Sequence, residues 1–344
     1  MNSIDVKEGL TGIDFLDRAI LEEETSVGVH AILGATGTGI TTLASMVAAE
    51  GARRALKNVS VDDQVRWAFF TTQASVQESK CRLASYLGKL DFGAATEGEL
   101  RCIGQHDNPD DQWAYASSIV EKAMIVFDTN KFPRDTWGTQ AFQADQLLRA
   151  EAGATRLAGI TFDDVPSMLR ARLYESGASD AGFTRLMANF LHECRELSER
   201  FSCPVWIGHQ LRGAVAIRGP RAITTHNDAM YFKRLGEHVK TSFVIGNHDG
   251  AGAFQIRCTK PYLHDQDLLP VVRITGGGAT IEEVSPPVRN EFLTDSWNEP
   301  SFKCRPEVLE ALLERRAELQ NSSRKEDLAA RMVRAAGIDD ANAT

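Results

Sequence analysis

No two of the six cysteines (Cys81, Cys102, Cys194, Cys203, Cys258, Cys304) stand at C-x-x-C spacing, and no pair of the eight histidines has a convincing metal-ligand spacing. This argues against a zinc site and leaves the thiols to be read as free ones in a reducing compartment. No apolar run reaches the length of a membrane span, and the start, MNSIDVKEGL, lacks the basic-then-apolar pattern of a signal peptide. The expected location is therefore cytoplasmic, with no membrane partner. Excess positive charge is missing too. A formal net charge of −9 argues against coating nucleic acid through bulk charge, while leaving room for a local basic channel. There is no internal repeat. What is present is 344 residues, 43% hydrophobic and 25% charged, enough for one large α/β core plus an appendage.

The chain is organised around Val27–Thr42, VGVHAILGATGTGITT. An apolar run feeds a glycine-rich turn that opens into an apolar-periodic segment (Leu43, Met46, Val47), so the spacing predicts strand, loop and helix in succession. That is the context of a phosphate-binding loop. Gly34 to Thr41 fits G-x-x-x-x-G-K-[ST] at every fixed position but one, where Ile40 replaces the lysine. The backbone cradle and the threonine hydroxyl remain, and the charge does not. A tight strand-to-helix turn without a ligand is the plain alternative at this point.

The pattern continues in alternation. A helix is expected from about Ile40 to Leu56, a strand over Trp67–Thr72, and a helix through VQESKCRLASYLG closed by Gly88. Residues 91–110 read as loop with a short strand at Leu100–Ile103. Asp111 to Ala123 reads as a helix, MIVFDT (Met124–Thr129) as a buried strand, and TQAFQADQLLRAEAGA as another helix. Strands follow at Leu157–Asp164 and Pro204–Gln210, flanking a helix from about Phe183 to Phe201. This rhythm predicts an α/β fold, a largely parallel sheet with helices on both faces and ligands at the carboxyl ends of its strands. From His238 onward TSFVIG, AFQIRCT and PVVRIT read as an antiparallel extension. Pro286-Pro287 marks a boundary, giving a domain over residues 1–284 and a linker with a small helical tail over 285–344, its helices near Pro306–Gln320 and Lys325–Ala336.

Six stretches in this order resemble the RecA superfamily, most closely the ATPase domain shared by DnaB-type replicative helicases and RadA/KaiC-like proteins. They are GLTGIDFLD, GATGTGITT, FFTTQAS, GITFDD, WIGHQLR and QIRCTKPY, and the resemblance spans roughly residues 9–284. It implies a RecA-like P-loop fold binding ATP with Mg²⁺. Gly34, Ala35, Thr36, Gly37, Thr38, Gly39, Ile40, Thr41 and Thr42 would form the nucleotide loop, with Thr41 and Asp163 at the metal. Gln210 would stand as a sensor of the terminal phosphate, and Lys260 would serve a neighbouring subunit's nucleotide in a ring or filament of identical chains.

Three positions depart from that pattern. Ile40 replaces the loop lysine, Gln73 stands where the family has its catalytic glutamate, and Tyr262 stands where it has an arginine finger. Each loss removes a different part of phosphoryl-transfer chemistry, and an arginine finger alone is worth roughly 10³–10⁵ in rate. The expected protein is a hydrolysis-deficient, oligomeric module associated with nucleotide and DNA, serving replication, recombination or repair. An active translocase or recombinase with unconventional residues and a ligand-free assembly protein are the alternatives.

Two segments bear on nucleic acid. Arg170 and Arg172 follow the Asp163–Asp164 pair, and Leu211–Thr225 carries Arg212, Arg218 and Arg221 without an acidic residue. Both fall where RecA-like assemblies place central DNA-binding loops, and arginines at intervals suit phosphate contacts. Binding of single-stranded DNA is expected to weaken with added salt and to weaken further when Arg212, Arg218 and Arg221 are replaced together. Unchanged binding in a filter or anisotropy assay would discard the loop assignment.

Overall fold

The computed structural model describes residues 27–57, 65–104, 108–131, 156–169, 180–211, 229–230, 232, 234–246, 253–260 and 271–283. Among these, nine strands form one sheet. They are β1 (Gly28–Gly34), β2 (Val65–Thr71), β3 (Met124–Asp128), β4 (Arg156–Phe162), β5 (Pro204–Gln210), β6 (Thr241–Ile245), β7 (Ala253–Lys260), β8 (Val271–Thr275) and β9 (Thr280–Glu283). Their order across the sheet is β3-β2-β4-β5-β1-β6-β7-β8-β9. Every pair from β3 to β6 is parallel, and the pairs from β6 to β9 are antiparallel. The helices are α1 (Ile40–Lys57), α2 (Val76–Leu87), α3 (Phe92–Thr96), α4 (Pro109–Ala123), α5 (Asp180–Phe201) and α6 (Leu235–His238). Residues 165–169 are also helical. None of these helices is long and apolar enough to cross a membrane.

The central strands are apolar on both sides because both faces are covered. Their residues alternate between two cores. Val29, Ala31 and Leu33 of β1 join Phe70, Phe162, Val205 and Val244 against α5, through Phe190, Leu191, Cys194 and Leu197. Ile32 joins Trp67, Phe69, Trp206 and Phe243 against α1, α2 and α4. Stacking at 4.7 Å between Phe70 and Phe162, and an edge contact at 5.2 Å between Phe162 and Phe190, each add about 0.5–1.5 kcal/mol beyond burial.

Capping residues explain where the helices start. Ser75 Oγ accepts from Glu78 N at the start of α2, and Asn108 Oδ1 accepts from Asp110 N and Asp111 N at the start of α4, ahead of Pro109. Asp91 Oδ1 accepts from Ala94 N at 2.8 Å and opens α3, a five-residue helix inside the stretch expected to be loop. At that length no apolar period develops, so the sequence shows only its glycine and threonine. The strand expected at Leu100–Ile103 is a single bridge between Leu90 and Cys102.

Three further differences have topological causes. The sequence predicts a buried β3, yet most of it is half-exposed, because it is the sheet's last strand and has one neighbour. β6 pairs parallel with β1, so the antiparallel extension begins one strand later, at β7. β9 follows the Gly276–Gly278 turn, whose glycines all have positive φ and reverse the chain within three residues. The turn expected at residues 9–17, the helix expected between residues 132 and 155, and the 285–344 appendage lie outside the described residues.

Trp67 is among the largest side chains of the core and is 1% exposed. It sits opposite Gly159 of β4, where the β2–β4 register shifts by one residue, and under Gly51 of α1. A methyl added to either glycine would overlap the indole ring. Alanine gains up to about 1 kcal/mol over glycine in a helix interior, whereas overpacking a filled core costs about 1–3 kcal/mol. Gly51→Ala and Gly159→Ala are therefore both expected to destabilise the protein, by about 1–3 kcal/mol in urea unfolding, and Gly51→Ala does so despite its better helix propensity.

Candidate nucleotide site

β1 ends on Gly34, and the chain turns back on the Ala35 carbonyl, which accepts from Thr38 N at 3.1 Å and from Thr38 Oγ1 at 2.7 Å. Gly37 and Gly39 have φ of 83° and 94°, values that a side-chain-bearing residue rarely adopts. The turn delivers the chain into α1 at Ile40, and no acidic residue stands in that helix's first turn. Its positive end is left open to an anion. A cleft of about 230 Å³ lies over this end.

Five of the predicted loop residues that line the cleft are Thr36, Gly37, Gly39, Thr41 and Thr42. Gly34, Ala35 and Thr38 shape the turn beneath it. Ile40 also reaches the cleft, but its side chain packs with the core. A Cβ built on Gly34 of β1 would come within 3.0 Å of Ile40 Cγ1, and one on Gly208 of β5 within 3.1 Å of Cγ2. Ile40 thus fills the space across the ends of these paired strands, which the two glycines leave open to it.

The carboxyl ends of β2, β4 and β5 complete the cleft with Gln73, Asp163, Asp164 and Gln210. β4 ends at Phe162, two residues before the expected limit, so both aspartates follow the strand. Asp163 N donates to Phe70 O at 2.8 Å, and Asp163 Oδ1 accepts from Thr41 Oγ1 at 3.1 Å. Asp164 sits at φ 56°, a left-handed conformation that Asp and Asn adopt more readily than most residues. Its Oδ2 accepts from Gln210 Nε2 at 3.0 Å, from Gln73 Nε2 and from Ser167 Oγ. Gln73 is itself exposed, and Glu78 faces solvent a turn along α2.

Burial pushes the Asp163 carboxyl up to about 7 and Asp164 adds to the rise, while the Thr41 hydrogen bond and the Arg82 charge oppose it. Such a carboxyl, with a hydroxyl on its oxygen and a helix start beside it, fits Mg²⁺ carried on a phosphate. Thr41 and Asp163 are the residues that would hold the ion, which would neutralise phosphate charge that no lysine of the loop meets.

Sequence reasoning missed the far wall. Ile274 of β8 lies over Gly39, where an added Cβ would come within 2.7 Å of Ile274 Cδ1. The Gly278 carbonyl accepts from Thr42 Oγ1 and from Arg82 Nη1, both at 2.9 Å. Arg82 also stacks over Phe92, its guanidinium carbon 4.1 Å from the ring centre. The available signal was an arginine in C-R-L-A-S, on the buried side of a helix where charge is rare. Lys260 ends β7 opposite Ser242, toward the amino-terminal end of β6, and does not line this cleft. Tyr262, Arg170, Arg172, Arg212, Arg218 and Arg221 lie outside the described residues.

The rise at Asp163 has a definite sign for stability. In the metal-free protein the folded chain keeps a proton that the unfolded chain releases above the ordinary value of 3.8, so stability falls as pH rises from that value through about 7. Chemical denaturation across that window is expected to show the decline, and Asp163→Asn is expected to flatten it.

No family model matches the chain, and no curated protein matches it. Solved structures do. The chain is similar to the ATPase domain of a DnaB-family helicase, at 12% identity and a TM-score of 0.56, covering 81% of this chain and 92% of that one. It is also similar to the RadB recombinase, at 18% identity and a TM-score of 0.46, covering 80% of this chain and 99% of that one. With its nine-stranded mixed sheet and its glycine loop between β1 and α1, the chain has the RecA-like P-loop fold of that helicase ATPase domain.

Proposed function

We propose that this chain is a RecA-like module that binds a nucleotide with Mg²⁺ but does not hydrolyse it, and that it works as an oligomer on DNA in replication, recombination or repair. One observation carries the hydrolysis-deficient part. The side chain at the β2 end, where the family resemblance places a water-orienting carboxylate, is the Gln73 amide, and it donates to Asp164. An amide cannot take a proton from water. Asp164 is no ready substitute, because its Oδ2 already accepts three donors and its Oδ1 accepts from Ser167 N at 3.3 Å.

Nucleotide binding is supported by the intact parts of the cleft: the loop, the open helix start and the Thr41–Asp163 pair. The similar helicase domain is by name an ATPase domain. This chain shares its fold and lacks, at Ile40 and Gln73, the lysine and the carboxylate that the resemblance assigns to turnover. The DNA part rests on the arginine-bearing segments of the sequence, and Lys260 is assigned to a neighbouring copy in the oligomer. Residues 1–284 form the nucleotide domain in this reading, and 285–344 form the appendage.

ATP binding and hydrolysis measured side by side, with and without single-stranded DNA, test the proposal. The expected result is saturable Mg²⁺-dependent binding of a fluorescent ATP analogue, weakened about tenfold or more by Thr41→Val or Asp163→Asn, with no turnover. DNA-stimulated hydrolysis lost in Asp163→Asn would establish an active motor instead. Absence of any nucleotide binding would leave an assembly protein that uses the fold as scaffold.

A further inference from the structure

The two ends of the cleft differ in character. Ile274 and the Gly278 turn wall one end, while Gln73, Asp164 and Gln210 wall the other. Phosphates seated on the first turn of α1, beside Thr41 and Asp163, would extend toward the second end. Gln73 and Gln210 are the side-chain amides lining the cleft, and amide N–H groups are the donors a third phosphate would need there. Both are already committed. Gln210 Nε2 donates to Asp164 Oδ2 at 3.0 Å, and Gln73 Nε2 donates to the same atom. Asp164 is 6% exposed and is further held by Ser167 through Oγ and N, so its carboxylate has little freedom to swing aside. A third phosphate at this end would meet carboxylate charge rather than open donors, in a place where charges are poorly screened. Ile40 brings no compensating cation.

We propose that Asp164 holds Gln73 and Gln210 away from a third phosphate, so that the cleft takes a nucleoside diphosphate at least as well as the triphosphate. The inference rests on the nucleotide-binding reading above and adds its specificity. A site of this kind does not distinguish charged from spent nucleotide, and an assembly built on it would keep its bound state when the cellular ratio of the two changes.

Calorimetric titration of the full chain with Mg-ADP and with the Mg complex of a non-hydrolysable ATP analogue tests it. The expected wild-type result is two dissociation constants within about threefold, or a preference for ADP. Asp164→Asn keeps a residue type suited to φ 56°, removes the charge and frees the amides. It is expected to improve triphosphate affinity about tenfold relative to diphosphate, the yield of roughly one added hydrogen bond to a charged group. Adding Gln73→Ala and Gln210→Ala to that variant is expected to cancel the gain. Gln210→Ala alone, in the otherwise wild-type chain, is expected to leave the ratio unchanged and does not depend on how Asp164→Asn folds. A tenfold wild-type preference for the triphosphate, an unchanged ratio in folded Asp164→Asn, or a loss of triphosphate affinity in Gln210→Ala alone would overturn the proposal. If neither nucleotide binds the wild-type protein, the nucleotide-binding reading itself fails and this inference falls with it.

Discussion

Thr41 lies in the first turn of α1 and Asp163 just past β4, and β5 runs between β4 and β1 in the sheet. The 3.1 Å hydrogen bond from Thr41 Oγ1 to Asp163 Oδ1 therefore ties the helix start to a strand two places away. It sets how deeply the glycine loop sits above the strand ends. Because β2, β4, β5 and β1 all run parallel, their carboxyl ends fall on one edge, and Gln73, Asp163, Asp164 and Gln210 are delivered to the loop together. A site assembled from four separate strand ends holds its shape through the sheet rather than through any one loop.

The substitutions at Ile40 and Gln73 fit their surroundings. A lysine left without phosphate would put an ammonium against the core that Ile40 now fills between Gly34 and Gly208, at a desolvation cost an aliphatic side chain avoids. A glutamate at position 73 would face the Asp164 carboxylate across a distance where Gln73 now donates a hydrogen bond, and two carboxylates that close cannot both ionise without strain. The two departures suit one arrangement of the cleft, in which Asp164 is the acceptor and the amides around it are its donors. Arg82 and Thr42 brace the opposite wall through the Gly278 carbonyl, so the β8–β9 hairpin is fixed to the loop's own helix.

The sequence by itself determined the alternation of strand and helix, the glycine loop at Gly34–Thr41 and the placing of Asp163 and Gln210 at strand ends. These are local matters of apolar period, turn chemistry and spacing along the chain. It also exposed the missing lysine and carboxylate, which need only residue identity. Other features depended on neighbours distant in sequence. The direction of β6 follows from its pairing with β1, far away along the chain, and the half-burial of β3 follows from its place at the sheet's edge. α3 was hidden because so short a helix carries no period. Ile274, Gly278 and Arg82 reach the cleft only once β8 and α2 are folded against α1. The convergence of Gln73 and Gln210 on one oxygen of Asp164 joins the ends of three strands, and hydrogen bonds between such distant residues leave no pattern along a single chain. Only the sheet decided that two amides able to read a phosphate would be spent on a neighbouring carboxylate.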